Sequence, residues 1–226
     1  MYSIIVPVYN EVSTIDTLQE NLSQFLGRAE VILVDGGSSD GTLEKYSDDF
    51  KVLKTQARCR ARQMNLGVEA AQGNRLLFSH ADSLLPQGAL EQMDEVLEVS
   101  RIGTFGVKFD DESLLMRICG YLSNRRVIKR NIAFGDQGIF LSKEDFFTLG
   151  AFPDIPLMED FQFSMTADAA GFRYKFTSDK IITSSRRFGT NSLHQLLLMW
   201  KMRDLRELYV RGVSAEEIIK DYKDIR

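Results

Sequence analysis

Residues 31–42 are Val-Ile-Leu-Val-Asp-Gly-Gly-Ser-Ser-Asp-Gly-Thr, an apolar run that ends in an acid and a glycine-rich turn. A buried strand followed by such a turn brings backbone N–H groups and a carboxylate to the carboxyl edge of a parallel sheet, where open α/β folds bind nucleotides. Asp35 is therefore a candidate acceptor of hydrogen bonds from a base or a ribose. Asp40 is expected to cap the helix that follows.

Further apolar runs alternate with segments in which apolar residues recur every three or four positions. The first half predicts strands over residues 3–8, 30–34, 51–55 and 75–79, and helices over 12–26, 42–50, 60–71 and 86–99. The second half predicts strands over 102–109, 138–141, 173–177 and 180–184, and helices over 114–127, 142–150, 158–170 and 192–211, with a last one from 214. This order predicts an α/β fold with a Rossmann-like, mostly parallel sheet flanked by helices, and with additional C-terminal helices. No linker-like segment interrupts it, so we expect a single domain over residues 1–226.

The composition supports one sizeable core. The chain has 226 residues, 44% of them hydrophobic, and its 28 basic and 32 acidic side chains give a formal net charge of −4. A disordered, collagenous or disulfide-stapled chain is excluded. The two cysteines, Cys59 and Cys119, form no C-x-x-C pair, which argues against a zinc ribbon and is typical of a reducing compartment. With only two histidines, a histidine-rich metal site is excluded.

The charge is distributed unevenly, with a net of −9 over residues 1–170 and +5 over residues 171–226. The basic end is either a solvated helix face or a surface that meets an anionic partner, such as a phosphate or a membrane. No run approaches the roughly 18 apolar residues of a membrane span, and no basic segment precedes the first strand. We therefore expect a cytoplasmic protein. Residues 196–200, Leu-Leu-Leu-Met-Trp, lie beside basic residues and suggest at most a peripheral contact with the inner face of the membrane, with core packing as the alternative.

Residues 3–11, Ser-Ile-Ile-Val-Pro-Val-Tyr-Asn-Glu, precede the opening stretch by some 25 residues. The pair V-P-x-Y-N-E and V-D-G-x-S-x-D-G-T resembles the first two βα units of family 2 glycosyltransferases, which use the GT-A fold. In that family these segments hold the nucleotide of a nucleotide-sugar. The resemblance assigns this role to Pro7, Tyr9, Glu11 and Asp35.

Residues 57–67, Ala-Arg-Cys-Arg-Ala-Arg-Gln-Met-Asn-Leu-Gly, look like the family's region ending in A-x-N-x-G. Arg58, Arg60 and Arg62 occupy alternate positions near the start of a predicted helix. The positive end of a helix is a suitable place to meet a base or a diphosphate. A solvated basic helix face is the alternative.

The motif His80-Ala-Asp82 follows a predicted strand at the position where glycosyltransferases of this fold carry D-x-D. In the family a divalent cation there bridges carboxylate and diphosphate oxygens and stabilises the leaving nucleoside diphosphate. Asp82 keeps the ligating acid, whereas His80 replaces the first acid. The resemblance therefore implies a metal site at Asp82 and His80 for Mn²⁺ or Mg²⁺, and imidazole suits Mn²⁺ better.

Met158-Glu-Asp160 matches the family's E-D, whose aspartate is the catalytic base of inverting transfer. Asp160 would take the proton from an acceptor hydroxyl, and Glu159 would orient the acceptor or the base. Gly135-Asp-Gln-Gly138 lies where family members contact the sugar and the acceptor. Asp136 and Gln137 are therefore site candidates, with a structural turn as the alternative.

Residues 183–188, Thr-Ser-Ser-Arg-Arg-Phe, follow a predicted strand. Arg186 and Arg187 are placed to hold phosphate oxygens by forked hydrogen bonds when a loop closes over the donor. Together with H-A-D, G-D-Q-G and M-E-D, this segment looks like a compact, single-domain subgroup of the family. Residues 1–100 would bind the nucleotide-sugar, 101–190 would supply the acceptor and catalytic half, and 191–226 the C-terminal helices.

The resemblance implies an inverting glycosyltransferase that uses a nucleotide-sugar donor and a divalent cation. The acceptor would be a glycan, a lipid-linked molecule or a small molecule, and no nucleic-acid partner is expected. Two alternatives stay open. A non-catalytic nucleotide-sugar-binding protein is suggested by the altered D-x-D, whereas a nucleotidyltransferase is disfavoured because the first loop contains no glycine.

Overall fold

The computed structural model describes residues 1–56, 58–189 and 192–223, except for the side chains of residues 187, 192, 193 and 223. Within these ranges, eight strands form one sheet and eight α-helices accompany it. The strands are β1 (Tyr2–Val8), β2 (Ala29–Asp35), β3 (Lys51–Lys54), β4 (Arg75–Phe78), β5 (Ser83–Leu84), β6 (Ile102–Phe109), β7 (Ile139–Ser142) and β8 (Tyr174–Thr183). The helices are α1 (Ile15–Ser23), α2 (Arg60–Ala70), α3 (Ala89–Leu97), α4 (Leu114–Arg130), α5 (Lys143–Thr148), α6 (Glu159–Ala169), α7 (Ser192–Val210) and α8 (Ala215–Lys223).

The strand order in the sheet is β3-β2-β1-β4-β7-β6-β8-β5. β1 pairs in parallel with β2 and β4, and β2 pairs in parallel with β3, so this half is the parallel sheet that the sequence predicts. The other half is mixed, because β7 runs antiparallel to β4 and β6, and β5 runs antiparallel to β8. The carboxyl ends of β1, β2 and β4 lie at one edge, where the residues that follow them meet.

Helices bury both faces of the sheet, which explains why β1 and β2 are nearly continuous apolar runs. On one face, α1 and α3 contribute Leu18 and Leu90 to a cluster with the strands. On the other face, α2, α5 and α6 contribute Met64, Phe146 and Phe163. The sheet is therefore a rigid support for the loops at its carboxyl edge.

The C-terminal helices extend the core beside α6. Leu205 of α7 and Ile218 and Tyr222 of α8 pack with Met158 and Phe161 at the start of α6. α4 in turn packs near α7. Among the described residues, none of the helices combines the length and the hydropathy that crossing a membrane requires.

Three elements differ from the sequence prediction, and one of them is the short strand β5, Ser83–Leu84, where no strand is expected. The prediction of a helix over residues 42–50 is wrong, because this segment contains a 3-10 turn, Leu43–Lys45, and no α-helix. Tyr46 becomes extended after this turn, and its hydroxyl donates a hydrogen bond to Asp35 at 2.8 Å, so a tertiary contact overrides helix propensity. The two strands expected between residues 173 and 184 are one strand, β8, whose pairing with β6 shifts register between Thr104 and Gly106.

Candidate active site

The turns that follow β1 and β2 are joined side by side at the carboxyl edge of the sheet. The Asn10 backbone N–H donates to Ser38 Oγ at 2.9 Å, and the Asn10 side chain accepts from the Ser39 N–H at 2.9 Å. The Glu11 N–H donates to the Thr42 hydroxyl at 2.9 Å. Because these bonds cross between the two turns, the first two predicted nucleotide segments form one surface.

Asp35 ends β2 and is fully buried. Its Oδ1 accepts the N–H groups of Gly37 and Ser38 at 2.8 and 2.7 Å, and its Oδ2 accepts the Tyr46 hydroxyl at 2.8 Å. The carboxylate therefore determines the shape of the glycine-rich turn, while a contact with a nucleotide stays a prediction. Pro7 lies in β1, one residue before the position that pairs with Asp35.

Arg58 and Arg62, which lie near the start of α2, contact different parts of the protein. The Arg58 guanidinium lies over the Tyr9 ring, 4.9 Å from its centroid, in a cation–π contact. Arg62 instead forms an ion pair with Asp154 at 2.6 Å, and the two side chains are 60% and 58% exposed. Arg58 thus lies beside the first predicted nucleotide segment, whereas Arg62 belongs to a surface pair.

Arg186 bridges distant strand ends. It begins a 3-10 turn after β8, and its guanidinium donates to Glu11 Oε2 at 2.5 Å. The hydrogen bond to Glu11, and the charges of Glu11 and Asp82, raise the pKa of Arg186. Glu11, Asp82 and Arg186, predicted from three separate motifs, therefore lie together. The side chain of Arg187, the fourth predicted donor contact in this region, lies outside the described residues.

His80, which follows β4, packs against the backbone of Gly135. A Cβ atom at residue 135 would lie 2.1 Å from His80 Nε2, so only glycine fits beside this ring. The Gly135 N–H donates to Asp160 Oδ2 at 2.9 Å. One glycine therefore connects the predicted metal motif to the predicted catalytic base.

The start of α6 holds two buried carboxylates. Met158 precedes them with a positive φ of 70°, a conformation that non-glycine residues adopt rarely. Asp160 is 9% exposed, and its Oδ1 accepts the Phe161 N–H at 2.7 Å. Glu159 is 1% exposed and forms an ion pair with Arg60 of α2 at 2.7 Å. Burial raises the pKa of Glu159, and the positive charge of Arg60 opposes this shift.

The two residues of the G-D-Q-G motif have different surroundings. Gln137 is fully buried, and its Oε1 accepts from the Arg126 guanidinium at 3.0 Å while its Nε2 donates to Asn124 at 3.3 Å. Its amide is therefore engaged within the protein. Asp136 is half-buried, and its charge acts on Arg126.

The sequence analysis missed two arginines near Asp160. Arg126 of α4 lies 3.8 Å and Arg206 of α7 lies 5.5 Å from the centroid of the Phe134 ring. The charge of Asp160 acts on both. Neither arginine belongs to a motif, and the basic C-terminal segment is the only signal that pointed towards Arg206.

No group of three His, Cys, Asp or Glu side chains that could hold a metal ion occurs within residues 1–56, 58–189 and 192–223. A cation at the H-A-D motif would therefore need oxygen ligands from a bound substrate or water as well as Asp82. His80 presents its Nε2 side to Gly135.

Comparisons with known proteins identify a sequence family and a fold that this chain shares. A family model described as glycosyl transferase family 2 matches residues 3–147. A glycosyltransferase of PGL/p-HBAD biosynthesis from Mycobacterium bovis is 27% identical to this chain, and the match covers 67% of this chain and 63% of that protein. The chain therefore spans less than two thirds of the length of this relative.

Two solved structures share the fold. The mannosyltransferase PcManGT from Pyrobaculum calidifontis, in complex with GDP-Man and Mn²⁺, gives a TM-score of 0.66 at 20% identity, covering 99% of this chain and 68% of that one. Residues 1–349 of TarS from S. aureus, in complex with UDP-GlcNAc, give a TM-score of 0.63 at 21% identity, covering 82% and 58%. These likenesses confirm the α/β fold of GT-A type that the sequence motifs predict.

Proposed function

Since the chain belongs to glycosyl transferase family 2, we propose that it transfers a sugar from a nucleotide-sugar donor to an acceptor hydroxyl, with inversion at the anomeric carbon. The observation that carries this proposal is that two sets of contacts involve the H-A-D motif, which follows β4. In the first set, the Arg186 guanidinium donates a hydrogen bond to Glu11, and the charge of Asp82 contributes to raising the pKa of Arg186. In the second set, Gly135 packs against the ring of His80, and its N–H donates a hydrogen bond to Asp160.

Asp160 is the proposed general base. Its carboxylate would accept the proton of the acceptor hydroxyl while that oxygen forms a bond to the anomeric carbon. The bond from the anomeric carbon to the diphosphate oxygen breaks, and the nucleoside diphosphate leaves with the electron pair. The N–H groups of Gly135 and Phe161 fix the two oxygens of Asp160, which supports a positioned base rather than a mobile surface acid.

Glu159 is proposed to position Asp160 through its ion pair with Arg60. This pair joins the first turn of α6 to the first turn of α2, the helix that follows the Arg58 and Tyr9 contact. The acceptor half and the donor half of the site are thereby held at a fixed separation.

A divalent cation is proposed to be held by Asp82 together with oxygen ligands from the substrate and water, and not by a complete protein cage. Mg²⁺ and similar ions are commonly held by one or two carboxylates together with substrate phosphates and water, which agrees with the lack of a three-residue cluster among the described residues. When bound, the cation would neutralise charge on the departing diphosphate. Arg186 supplies a second positive charge at the same place. His80 is proposed to support this region, as a ligand or by packing on Gly135.

The decisive experiment compares Asp160→Asn with Asp16→Asn. Asp16 lies on α1, is 69% exposed and pairs with Lys45 of the 3-10 turn that follows β2. It is far along the chain from residues 101–190, so Asp16→Asn controls for the replacement of a carboxylate by an amide. We expect Asp160→Asn to bind nucleoside diphosphate as wild type does but to lose transfer by about 10²–10⁴-fold. Substantial residual transfer would remove Asp160 from the role of base.

The donor can be identified by a thermal-shift panel of UDP-, GDP- and dTDP-sugars with Mn²⁺, because ligand binding raises apparent stability. Slow release of nucleoside diphosphate from the stabilising donor in water would show live chemistry. If a donor binds and no such release or transfer occurs, the chain is a nucleotide-sugar-binding protein instead.

We further propose a cytoplasmic protein with a peripheral contact to an anionic lipid surface. Trp200 and Leu197 of α7 are 66% and 61% exposed, and Leu114 and Tyr121 of the neighbouring α4 are 73% and 64% exposed. Basic side chains lie on the same helices, so charge complementarity favours an anionic membrane. Flotation with anionic liposomes tests this, and no association, or equal association of Trp200→Ser, would refute it.

A further inference from the structure

The Arg126–Phe134–Arg206 cluster lies beside the proposed base but is not explained by donor binding. Both guanidinium groups contact the ring of Phe134, at 3.8 and 5.5 Å from its centroid. Phe134 directly precedes Gly135, whose N–H donates to Asp160. The cluster therefore adjoins the catalytic carboxylate on the side of α4 and α7.

Arg126 and Arg206 are half-buried, as Arg60 is, but among the described residues their partners differ from that of Arg60. Arg60 pairs with Glu159 at 2.7 Å, whereas neither Arg126 nor Arg206 forms an ion pair within 4.0 Å among the described residues. Among the described residues, the Arg126 guanidinium donates to the carbonyl of Ile132 at 3.3 Å and to Gln137 Oε1 at 3.0 Å. Within the same ranges, Arg206 of α7 has no side-chain hydrogen bond beside its contact with the Phe134 ring.

The electrostatic surroundings favour an added anion. Burial lowers the pKa of Arg126 to about 10, and burial together with Arg130 lowers the pKa of Arg206. A pKa lowered in this way means that the positive charge is under-compensated in the protein alone. An oxyanion that approached both guanidinium groups would restore the balance, and forked hydrogen bonds from arginine match the geometry of phosphate.

The donor diphosphate does not account for this charge. The carboxylates that act on Arg126 are those of Asp136 and Asp160, the carboxylate that acts on Arg206 is that of Asp160, and the Cys119 thiol acts on both arginines. Arg186, by contrast, responds to Glu11 and Asp82, where the diphosphate is expected. The charge of Asp160 thus acts on Arg126 and Arg206, whereas the charges of Glu11 and Asp82 act on Arg186.

We propose that Arg126 and Arg206 form an acceptor subsite for a phosphate group, so that the substrate class of the acceptor is a phosphate-bearing hydroxyl compound. This inference rests on the proposed function, because it assigns the acceptor side from the position of Asp160. The phosphate would lie at the edge of Phe134 and place a nearby hydroxyl at the base. The phosphate takes no part in the bond changes.

The test is calorimetric titration of the full chain, first saturated with UDP or GDP and Mn²⁺, with glycerol 3-phosphate and with glycerol. We expect glycerol 3-phosphate to bind and glycerol not to bind. Arg206→Gln should weaken binding at least about tenfold, because a charged hydrogen-bond donor is lost. Arg206→Lys should retain part of the affinity.

The matched control is Arg203→Gln, since Arg203 lies one turn earlier on α7, is 66% exposed and pairs with Glu207 at 3.0 Å. It should bind glycerol 3-phosphate as wild type does. A further titration with dodecyl phosphate distinguishes a lipid-linked acceptor from a water-soluble one. Tighter binding of dodecyl phosphate than of glycerol 3-phosphate indicates a lipid-linked acceptor, and equal or weaker binding indicates a water-soluble acceptor. Both results support the subsite, provided that Arg206→Gln weakens them.

Two results would overturn the subsite. Phosphate compounds that displace the nucleotide would place their site at the donor diphosphate, and equal affinity in wild type and Arg206→Gln would show that the cluster does not bind them. Nucleotide affinity and donor hydrolysis, measured on the same samples, report separately on the proposed function. If hydrolysis persists while phosphate binding is unaffected by the variant, only the subsite fails.

Discussion

The two ion pairs made by α2 offer a direct test of how burial decides the strength of a charge pair. Arg60 pairs with Glu159 at 2.7 Å and Arg62 pairs with Asp154 at 2.6 Å, so their geometry is nearly the same. The exposed fractions differ: 33% and 1% for the first pair, 60% and 58% for the second. Arg60→Met and Arg62→Met each remove one charge and keep most of the aliphatic stem.

Breaking the buried pair leaves the Glu159 carboxylate without its cation in a site that water does not reach. Such a loss costs about 3–5 kcal/mol, and we take about 3 kcal/mol because Arg60 is itself one-third exposed. For a chain of this length, that lowers the melting temperature by roughly 6–12 °C. The exposed pair should contribute below about 1 kcal/mol, so Arg62→Met should change stability little.

The assay is urea unfolding of both variants at several pH values. With Arg60 removed, burial raises the pKa of Glu159 further above its value in the unfolded chain, so the folded state binds a proton more tightly than the unfolded state does. Stability gained from that proton is present at low pH and lost as the pH rises through the folded pKa. The deficit of Arg60→Met should therefore be smaller at pH 5 than at pH 8.

A double-mutant cycle with Glu159→Gln completes the experiment, because the second change removes the carboxylate that Arg60→Met leaves unpaired. The double variant should be more stable than Arg60→Met alone. The reasoning is refuted if Arg60→Met costs no more than Arg62→Met, or if its deficit does not depend on pH.

Three further predictions concern other parts of the site. Gly135→Ala should lower the free energy of unfolding in urea by about 1–3 kcal/mol, because the added Cβ would lie 2.1 Å from His80 Nε2. Adding His80→Ala should recover part of this loss, and no recovery would mean that the clash lies elsewhere. Tyr46→Phe should cost about 1.5–3 kcal/mol, measured in the same way, since the buried Asp35 carboxylate loses a hydroxyl donor at 2.8 Å; a neutral substitution would contradict that role. A chelator should weaken titrated donor binding in wild type and have no effect in Asp82→Asn, whereas equal wild-type affinity with and without chelator would argue against the cation.

The parallel half of the sheet was predictable from sequence because each buried strand is followed at once by its turn residues. The run at 31–34 and the turn at 35–42 are local, and local patterns determine where a parallel strand ends. The same locality misled the prediction over residues 42–50, where the bond from Tyr46 to Asp35 decides the conformation. Periodicity carries no information about such a contact.

The contacts of the proposed acceptor side were harder to predict from the sequence, for a related reason. Arg126 and Arg206 stand on different helices, and only the packing of α4 and α7 brings both to Phe134. The significance of Gly135 was likewise hidden, since the ring of His80, 55 residues earlier in the chain, leaves no room for a side chain at residue 135. Pairs of this kind are determined by tertiary packing and not by spacing along the chain.

The bond between Arg186 and Glu11 closes a loop of 175 residues. Contacts of such long sequence separation form late, because chain entropy must be lost before they contribute. During synthesis the N-terminal strands leave the ribosome first and can pair while β8 and its arginine are still missing. The edge proposed to bind the donor is therefore completed by a segment that follows the first turn by 175 residues, so a product that ended before Arg186 would have the turns after β1 and β2 without the guanidinium that pairs with Glu11.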